Sequence, residues 1–264
     1  MSYERRSMNT TADNRGQQAA LQQSKRLTHS GSRHQIVEAV RYGKLCVIRK
    51  PMTPAPTADF WREVSIQSLA ADHRLAPRIL ETETSTQTIL LERATPEDLS
   101  VKQACQILSA LHTLPRAALR LNIEHAFEFW FSQIEPSLAP WDQASNRDRA
   151  TRARVLFADH RAEHVLCHGD PVPENFMRLD NRNVLIDWEY ACLAPFWWDV
   201  AIYSSESGFA EVEKVALLTH YSSATVSASQ MQTLAKFISV YQDLRELWSI
   251  ATAARAISYH SNSA

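Results

Sequence analysis

The feature that most constrains this chain is a polar loop set against a short hairpin. His168, Asp170 and Asn175 form an H-x-D-x-x-x-x-N pattern. Asp187 follows twelve residues after Asn175, at the end of the apolar run Val184-Leu185-Ile186. Phe176–Leu179 and Val184–Ile186 flank the turn-rich tetrapeptide Asp180-Asn181-Arg182-Asn183, which reads as two strands joined by a turn. Folding that hairpin returns Asp187 to the end where Asn175 lies. The chain must hold two acids and an amide close together, and it needs a sizeable core to do so.

A carboxylate able to take a proton from a hydroxyl, beside oxygen donors for a divalent cation, suits phosphoryl transfer. On this reading Asp170 is the base, and Asn175 and Asp187 are the Mg²⁺ ligands. His168 is expected to hold the loop through backbone hydrogen bonds. Zinc is not expected, because no Cys/His/carboxylate set has ligand spacing.

Composition narrows the nucleotide site. Only 5 of 264 residues are glycine. No two lie close enough for a G-x-G-x-x-G turn or a Walker A loop. Each remaining glycine is therefore informative, because glycine serves where the backbone needs positive φ or close approach. The formal net charge of -1 gives no broad basic surface for nucleic acid. No stretch approaches 18 apolar residues, so no membrane span is expected. The polar start MSYERRSMNTTADNRGQQ lacks the apolar core of a secretory signal. Cys46, Cys105, Cys167 and Cys192 are scattered, as suits free buried thiols in a reducing cytoplasm.

The order of elements predicts an α+β protein. Residues 1–26 form a polar tail and 27–94 a β-rich unit, with strands over Gln35–Arg41, Lys44–Lys50, Pro77–Leu80 and Thr88–Glu92 and a helix over Thr57–His73. Residues 95–264 read as mainly helical. Thr95-Pro96-Glu97-Asp98 has the chemistry of a helix start, with a capping hydroxyl, proline at the first position and acids behind it. Further helices are expected over Ile123–Leu138, Arg147–Glu163, Glu211–Tyr221 and Ser229–Ser258. Arg147, Arg149, Arg152 and Arg154 read as a solvated face, and Trp197 and Trp198 either as core between helices or as rings of a binding pocket.

The segment from His168 to Glu206 resembles the aminoglycoside phosphotransferase/choline kinase superfamily. H-G-D-x-x-x-x-N is similar to its catalytic loop, and Leu185-Ile186-Asp187-Trp188-Glu189-Tyr190 is similar to the choline kinase form I-D-[FW]-E-Y. Asp199, seven residues before Glu206, fits the same stretch. The resemblance implies a two-lobed protein-kinase-like fold with a small β-rich N-lobe and a larger, mainly helical C-lobe. It also implies ATP and Mg²⁺. Alternation places Leu45, Val47 and Arg49 on one strand face. The resemblance then sets Val47 against adenine and Arg49 against the phosphates, with Lys50 as second choice, Glu63 as the partner of Arg49, and Glu92-Arg93-Ala94 as the hinge whose backbone meets adenine. Ser30, Gly31 and Ser32 fall where a phosphate-covering loop belongs. Pro171 departs from the leucine many relatives carry but leaves the Asp–Asn spacing intact.

The resemblance also implies a small-molecule alcohol as acceptor, bound near Asp170 by Tyr190, Glu206 and Trp248. Choline kinases hold a quaternary ammonium with aromatic faces and carboxylates. Their late helix carries W-x-x-W, whereas this chain has Arg245 at the first position and Trp248 at the second. A guanidinium disfavours a cation cage unless Glu206 or another acid neutralises it. Choline or a similar amino alcohol is the leading expectation; thiamine, an aminoglycoside or a sugar alcohol are alternatives. The single Gly31 also admits a non-catalytic nucleotide-binding module. A protein kinase is not expected, because no D-F-G or A-P-E signature is present.

Overall fold

The structure, a computed structural model, describes residues 25–27, 34–41, 43–52 and 56–261. Its side chains are described from 34 to 253, so Ser30, Gly31 and Ser32 lie outside the described residues. Strands β1 (Lys25–Leu27), β2 (His34–Arg41), β3 (Lys44–Pro51), β4 (Ile79–Glu83) and β5 (Thr88–Glu92) form an antiparallel sheet in the order β1-β2-β3-β5-β4. Gly43 makes the β2–β3 turn at φ +72°, a conformation a β-carbon disfavours.

Period-2 alternation decides what each sheet face meets. Arg49 pairs with Ile89 and Val47 with Leu91 across β3 and β5. Ile89 and Leu91 pack with Phe60 and Val64 of helix α1 (Thr57–Asp72), so Arg49 points toward that helix. Ala39, Cys46, Ile48 and Leu90 pack on the other face. Leu45, expected to share the Arg49 face, lies at the sheet end and is 57% exposed.

The chain leaves the sheet differently from the sequence expectation. Thr95–Pro96 begins no helix. It is a two-residue strand, β6, whose Thr95 pairs with Arg178 and Pro96 with Met177. Proline is tolerated at a strand edge, where no ladder N–H is demanded. Helix α2 (Val101–Leu111) starts after Ser100, which forms a capping box with Gln103. Its Ala104, Ile107, Leu108 and Leu111 are buried, each large side chain contributing about 1.5–3 kcal/mol.

Helices α3 (Ile123–Ser132), α4 (Gln143–Asp159), α5 (Trp197–Glu206), α6 (Glu211–Ser222) and α7 (Ala228–Ser261) complete the larger lobe. Helix α3 is shorter than expected, with a separate 3₁₀ turn at Pro136–Leu138. Helix α4 starts four residues before the expected Arg147 because Asp142 caps it, accepting the Ser145 N–H at 2.7 Å. Its arginines are not all solvated: Arg149 pairs with Asp243 and lies 4.2 Å over Trp141, and Arg154 reaches Glu124 at 3.2 Å. One continuous core runs through α2 to α7 and includes Phe127, Trp188, Trp197, Trp198 and Phe237.

Two small sheets sit in this lobe. Strand β7 (His164–Cys167) pairs with β10 (Cys192–Pro195), and the hairpin β8 (Phe176–Leu179) and β9 (Arg182–Leu185) pairs with β6. The expected hairpin is therefore present, anchored to the strand that leaves the first sheet. All four cysteines are free and buried, and burial pushes the Cys105 thiol up to about 12. Among the described residues, no helix is long and apolar enough to cross a membrane.

Candidate active site

The loop after β7 is built by buried hydrogen bonds. Asp199, in the first turn of α5, is fully buried. Its carboxylate accepts the His168 N–H at 2.8 Å and the Gly169 N–H at 2.9 Å. His112, at the end of α2, brings Nε2 to 2.9 Å from Asp199 Oδ2, and its Nδ1 lies 2.7 Å from the Tyr221 hydroxyl. A neutral imidazole that donates to the carboxylate accepts from the Tyr221 hydroxyl, which orders the whole chain of groups. The contact between His112 and Asp199 joins residues 87 positions apart. His112 and Tyr221, and the supporting contacts of Asp199, are therefore what sequence reasoning missed.

His168 is fully buried, and burial holds its imidazole below the usual histidine range. The ring is therefore neutral near pH 7 and donates from Nε2 to the Ile186 carbonyl at 2.9 Å. It packs edge-on against Trp188, with centroids 4.7 Å apart. Gly169 adopts φ +82°, and a β-carbon there would stand 2.1 Å from the Tyr190 carbonyl oxygen. This is a close backbone approach that only glycine permits. It also sets Tyr190 directly against the loop.

The expected hairpin geometry is realised. Asn175 donates from Nδ2 to the Asp170 carbonyl at 2.8 Å and to Asp170 Oδ2 at 3.3 Å. The Asn175 carbonyl accepts the Ile186 N–H at 3.0 Å, which brings Asp187 alongside. Asp187 sits at φ +66°, turned out of the strand and 34% exposed. Burial, then the charge of Asp187, pushes the Asp170 carboxyl up to about 7, with Asn175 opposing the shift.

Arg49 links the two lobes. Its Nη2 pairs with Glu63 of α1 and its Nη1 donates to Asp187 Oδ1 at 3.0 Å. Arg49 and Glu63 are both buried. Burial pushes the Glu63 carboxyl up, and the guanidinium opposes that shift. Lys50 points the other way and is exposed. Val47 lies on the Arg49 face, half-buried. At the expected hinge, the Glu92 N–H donates to the Arg78 carbonyl at 3.1 Å, and the Glu92 side chain holds Arg78 and Arg182.

On the far side of Asp170, Glu206 ends α5. Its Oε1 accepts the Tyr241 hydroxyl at 2.9 Å and lies 2.9 Å from Arg245 Nε. Its charge is among those that act on Asp170, so the two carboxylates share one region. Tyr190 and Trp248 are each 37% exposed, whereas Trp197 and Trp198 are buried core rather than pocket rings.

Two groups could present metal-ligand atoms that spacing along the chain did not reveal. His34, Asp187 and Glu189 form one, and buried His112, Cys167 and Asp199 the other, with the ligand atoms of each within 4.8 Å. In the second group, the Asp199 oxygens are taken by His112 and two backbone N–H groups, and burial keeps Cys167 a thiol. A cavity of about 1070 Å³ opens between α2 and α6 and meets this network through Tyr221; its lining does not include Asp170.

A small sheet lobe joined to a helical lobe, with this loop between them, defines a two-lobed protein-kinase-like fold. The chain belongs to the phosphotransferase enzyme family, whose profile it matches over residues 36–228. It is similar to the choline/ethanolamine kinase family protein of Mesorhizobium loti, with 18% identity, a TM-score of 0.69, and coverage of 90% of this chain and 82% of that one. Choline kinase LicA from Streptococcus pneumoniae gives 20% identity and a TM-score of 0.69, with coverage of 92% and 90%. Protein LicA of Haemophilus influenzae is 32% identical over 101 residues, so the chain spans about 38% of that relative's length and the match 38% of this chain.

Proposed function

We propose that this chain is an ATP-dependent phosphotransferase that moves the γ-phosphate to a hydroxyl of a small molecule, a hydroxylated amine being the candidate class. The observation that supports this most is the convergence of Arg49 from the sheet lobe with Asp170, Asn175 and Asp187 from the helical lobe. Asp170 orients the acceptor hydroxyl and takes its proton, a role its raised carboxyl suits near neutral pH. Arg49, steadied by Glu63, meets the nucleotide phosphates. Val47 and the Glu92–Ala94 segment face the base.

The oxygen donors fit Mg²⁺. Asn175 spends its Nδ2 on Asp170, and among the described residues its Oδ1 accepts no bond. Asp187 adds a half-exposed carboxylate. Both are hard ligands of the kind Mg²⁺ takes. When bound, the cation neutralises charge on the phosphates.

The test is ADP release across choline, ethanolamine, thiamine, aminoglycosides and sugars. Asp170→Ala and Asp187→Ala are expected to abolish turnover while far-UV circular dichroism stays native. Turnover by Asp187→Ala near that of the unaltered protein would sink the metal assignment. A Mg²⁺-dependent thermal shift with ATP, without ADP release on any alcohol, would favour a non-catalytic binding module.

A further inference from the structure

The acceptor end of the site carries a matched pair of charges. Tyr241, Arg245 and Trp248 are spaced by four and three residues on α7, which puts them on one helix face. Glu206 is the last residue of α5, where the negative end of the helix dipole disfavours an acid and favours a neighbouring cation. Arg245 supplies that cation, with Nε 2.9 Å from Glu206 Oε1. Tyr241 donates to the same oxygen. Among the described residues, neither Glu206 Oε2 nor the two Nη atoms of Arg245 make a hydrogen bond. The side chain of Glu206 is 15% exposed and that of Arg245 is 55% exposed, so the guanidinium faces the open side.

A bare cation does not match this arrangement. Glu206 is already neutralised, and a quaternary ammonium beside it would meet the guanidinium. A ligand whose own charges sum to zero does match, provided they are separated. We propose that the acceptor is a zwitterionic hydroxy-amino acid. Its ammonium lies against Glu206 Oε2 and the rings of Tyr190 and Trp248, its carboxylate against the Nη atoms of Arg245, and its hydroxyl toward Asp170. This rests on the phosphotransferase reading. The step is unchanged: the substrate oxygen bonds to the γ-phosphorus, the bond to the β–γ bridging oxygen breaks with its electron pair leaving on ADP, and the hydroxyl proton passes to Asp170.

The test uses matched pairs that differ by the carboxylate: L-serine against ethanolamine, and L-homoserine against 3-aminopropanol. The unaltered protein is expected to show a KM at least about tenfold lower for the amino acid of a pair, as for one hydrogen bond to a charged group. Arg245→Ala and Arg245→Gln bring that ratio to about one, and Arg245→Lys restores part of it. Thermal-shift titration with the same compounds gives a readout that needs no turnover. Carboxylate-dependent binding that is lost in Arg245→Ala, without ADP release, supports a zwitterion site at Glu206 and Arg245 while refuting phosphotransfer. Turnover of ethanolamine or choline in preference to the amino acids, or a ratio that Arg245→Ala leaves unchanged, overturns the acceptor assignment and leaves phosphotransfer standing. Absence of both binding and turnover for all four compounds also overturns it.

Discussion

Replacing Asp199 by alanine tests whether the loop is held from below by one buried carboxylate. Asp199 is fully buried and is approached by the His168 N–H, the Gly169 N–H and His112 Nε2 at 2.8, 2.9 and 2.9 Å. Truncation leaves two buried backbone donors and one imidazole nitrogen without a partner. Each orphaned donor costs about 1–3 kcal/mol. Relief from burying the carboxylate offsets part of the sum, so a net loss of about 3–5 kcal/mol is expected, the range seen when one member of a buried charged pair is removed. That is a large fraction of a typical folding free energy of about 5–15 kcal/mol. Asp199→Asn keeps one acceptor but aims an NH₂ at a donor, and should cost about half as much. Urea denaturation read by tryptophan fluorescence, with the slope checked for constancy, measures both. His112→Phe combined with Asp199→Asn should cost less than the two single losses added, because the pair share one contact. A loss below about 1 kcal/mol for Asp199→Ala, with the slope unchanged, would refute the claim that this carboxylate holds the loop.

Three further outcomes are expected. Gly169→Ala should lose about 2–4 kcal/mol and most turnover, because φ +82° strains an L-residue and its β-carbon meets a backbone oxygen at 2.1 Å; calorimetry reads the fall in Tm. Asp170 has a folded-state value of about 7 against 3.8 ordinarily, so between those two pH values the native state binds more protons than the unfolded one and stability falls as pH rises. Asp170→Asn should flatten that slope in pH-dependent melting while abolishing turnover, and turnover of the unaltered protein should rise through about pH 7 as the base ionises. Arg49→Met should destabilise by about 2–4 kcal/mol at pH 7.5 and by less at pH 5.5, because the buried Glu63 left alone takes up a proton as pH falls; melting curves at the two pH values decide it.

What the sequence made legible was local. The hairpin carrying Asn175 to Asp187 follows from turn residues between two apolar runs, and the turn at Gly43 from a single glycine between strands. The resemblance named Arg49 and Glu63 as partners, and the structure places them in contact between strand and helix. One expectation failed where a local signal met a tertiary one, and one helix gave no local signal. Thr95-Pro96 has the chemistry of a helix start, yet pairing with β8 claims it, and Ser100 with Gln103 supplies an equally good cap five residues on. Helix α5 was missed because Trp197–Glu206 is buried nearly all round and shows no polar face for a 3.6-residue period to reveal.

The supporting network was hidden for a different reason. His112, Asp199 and Tyr221 come from three helices, and nothing in their separate neighbourhoods requires that they touch. Arg245 is the intermediate case. As a residue it stands out at once, a guanidinium where aromatic rings were anticipated. Its effect, however, depends on the phase of α7, which turns Arg245 and Tyr241 together onto the end of α5 and spends one oxygen of Glu206 on both. Charge complementarity at the acceptor end thus depends on a contact between two helices, which the motif alone does not reveal.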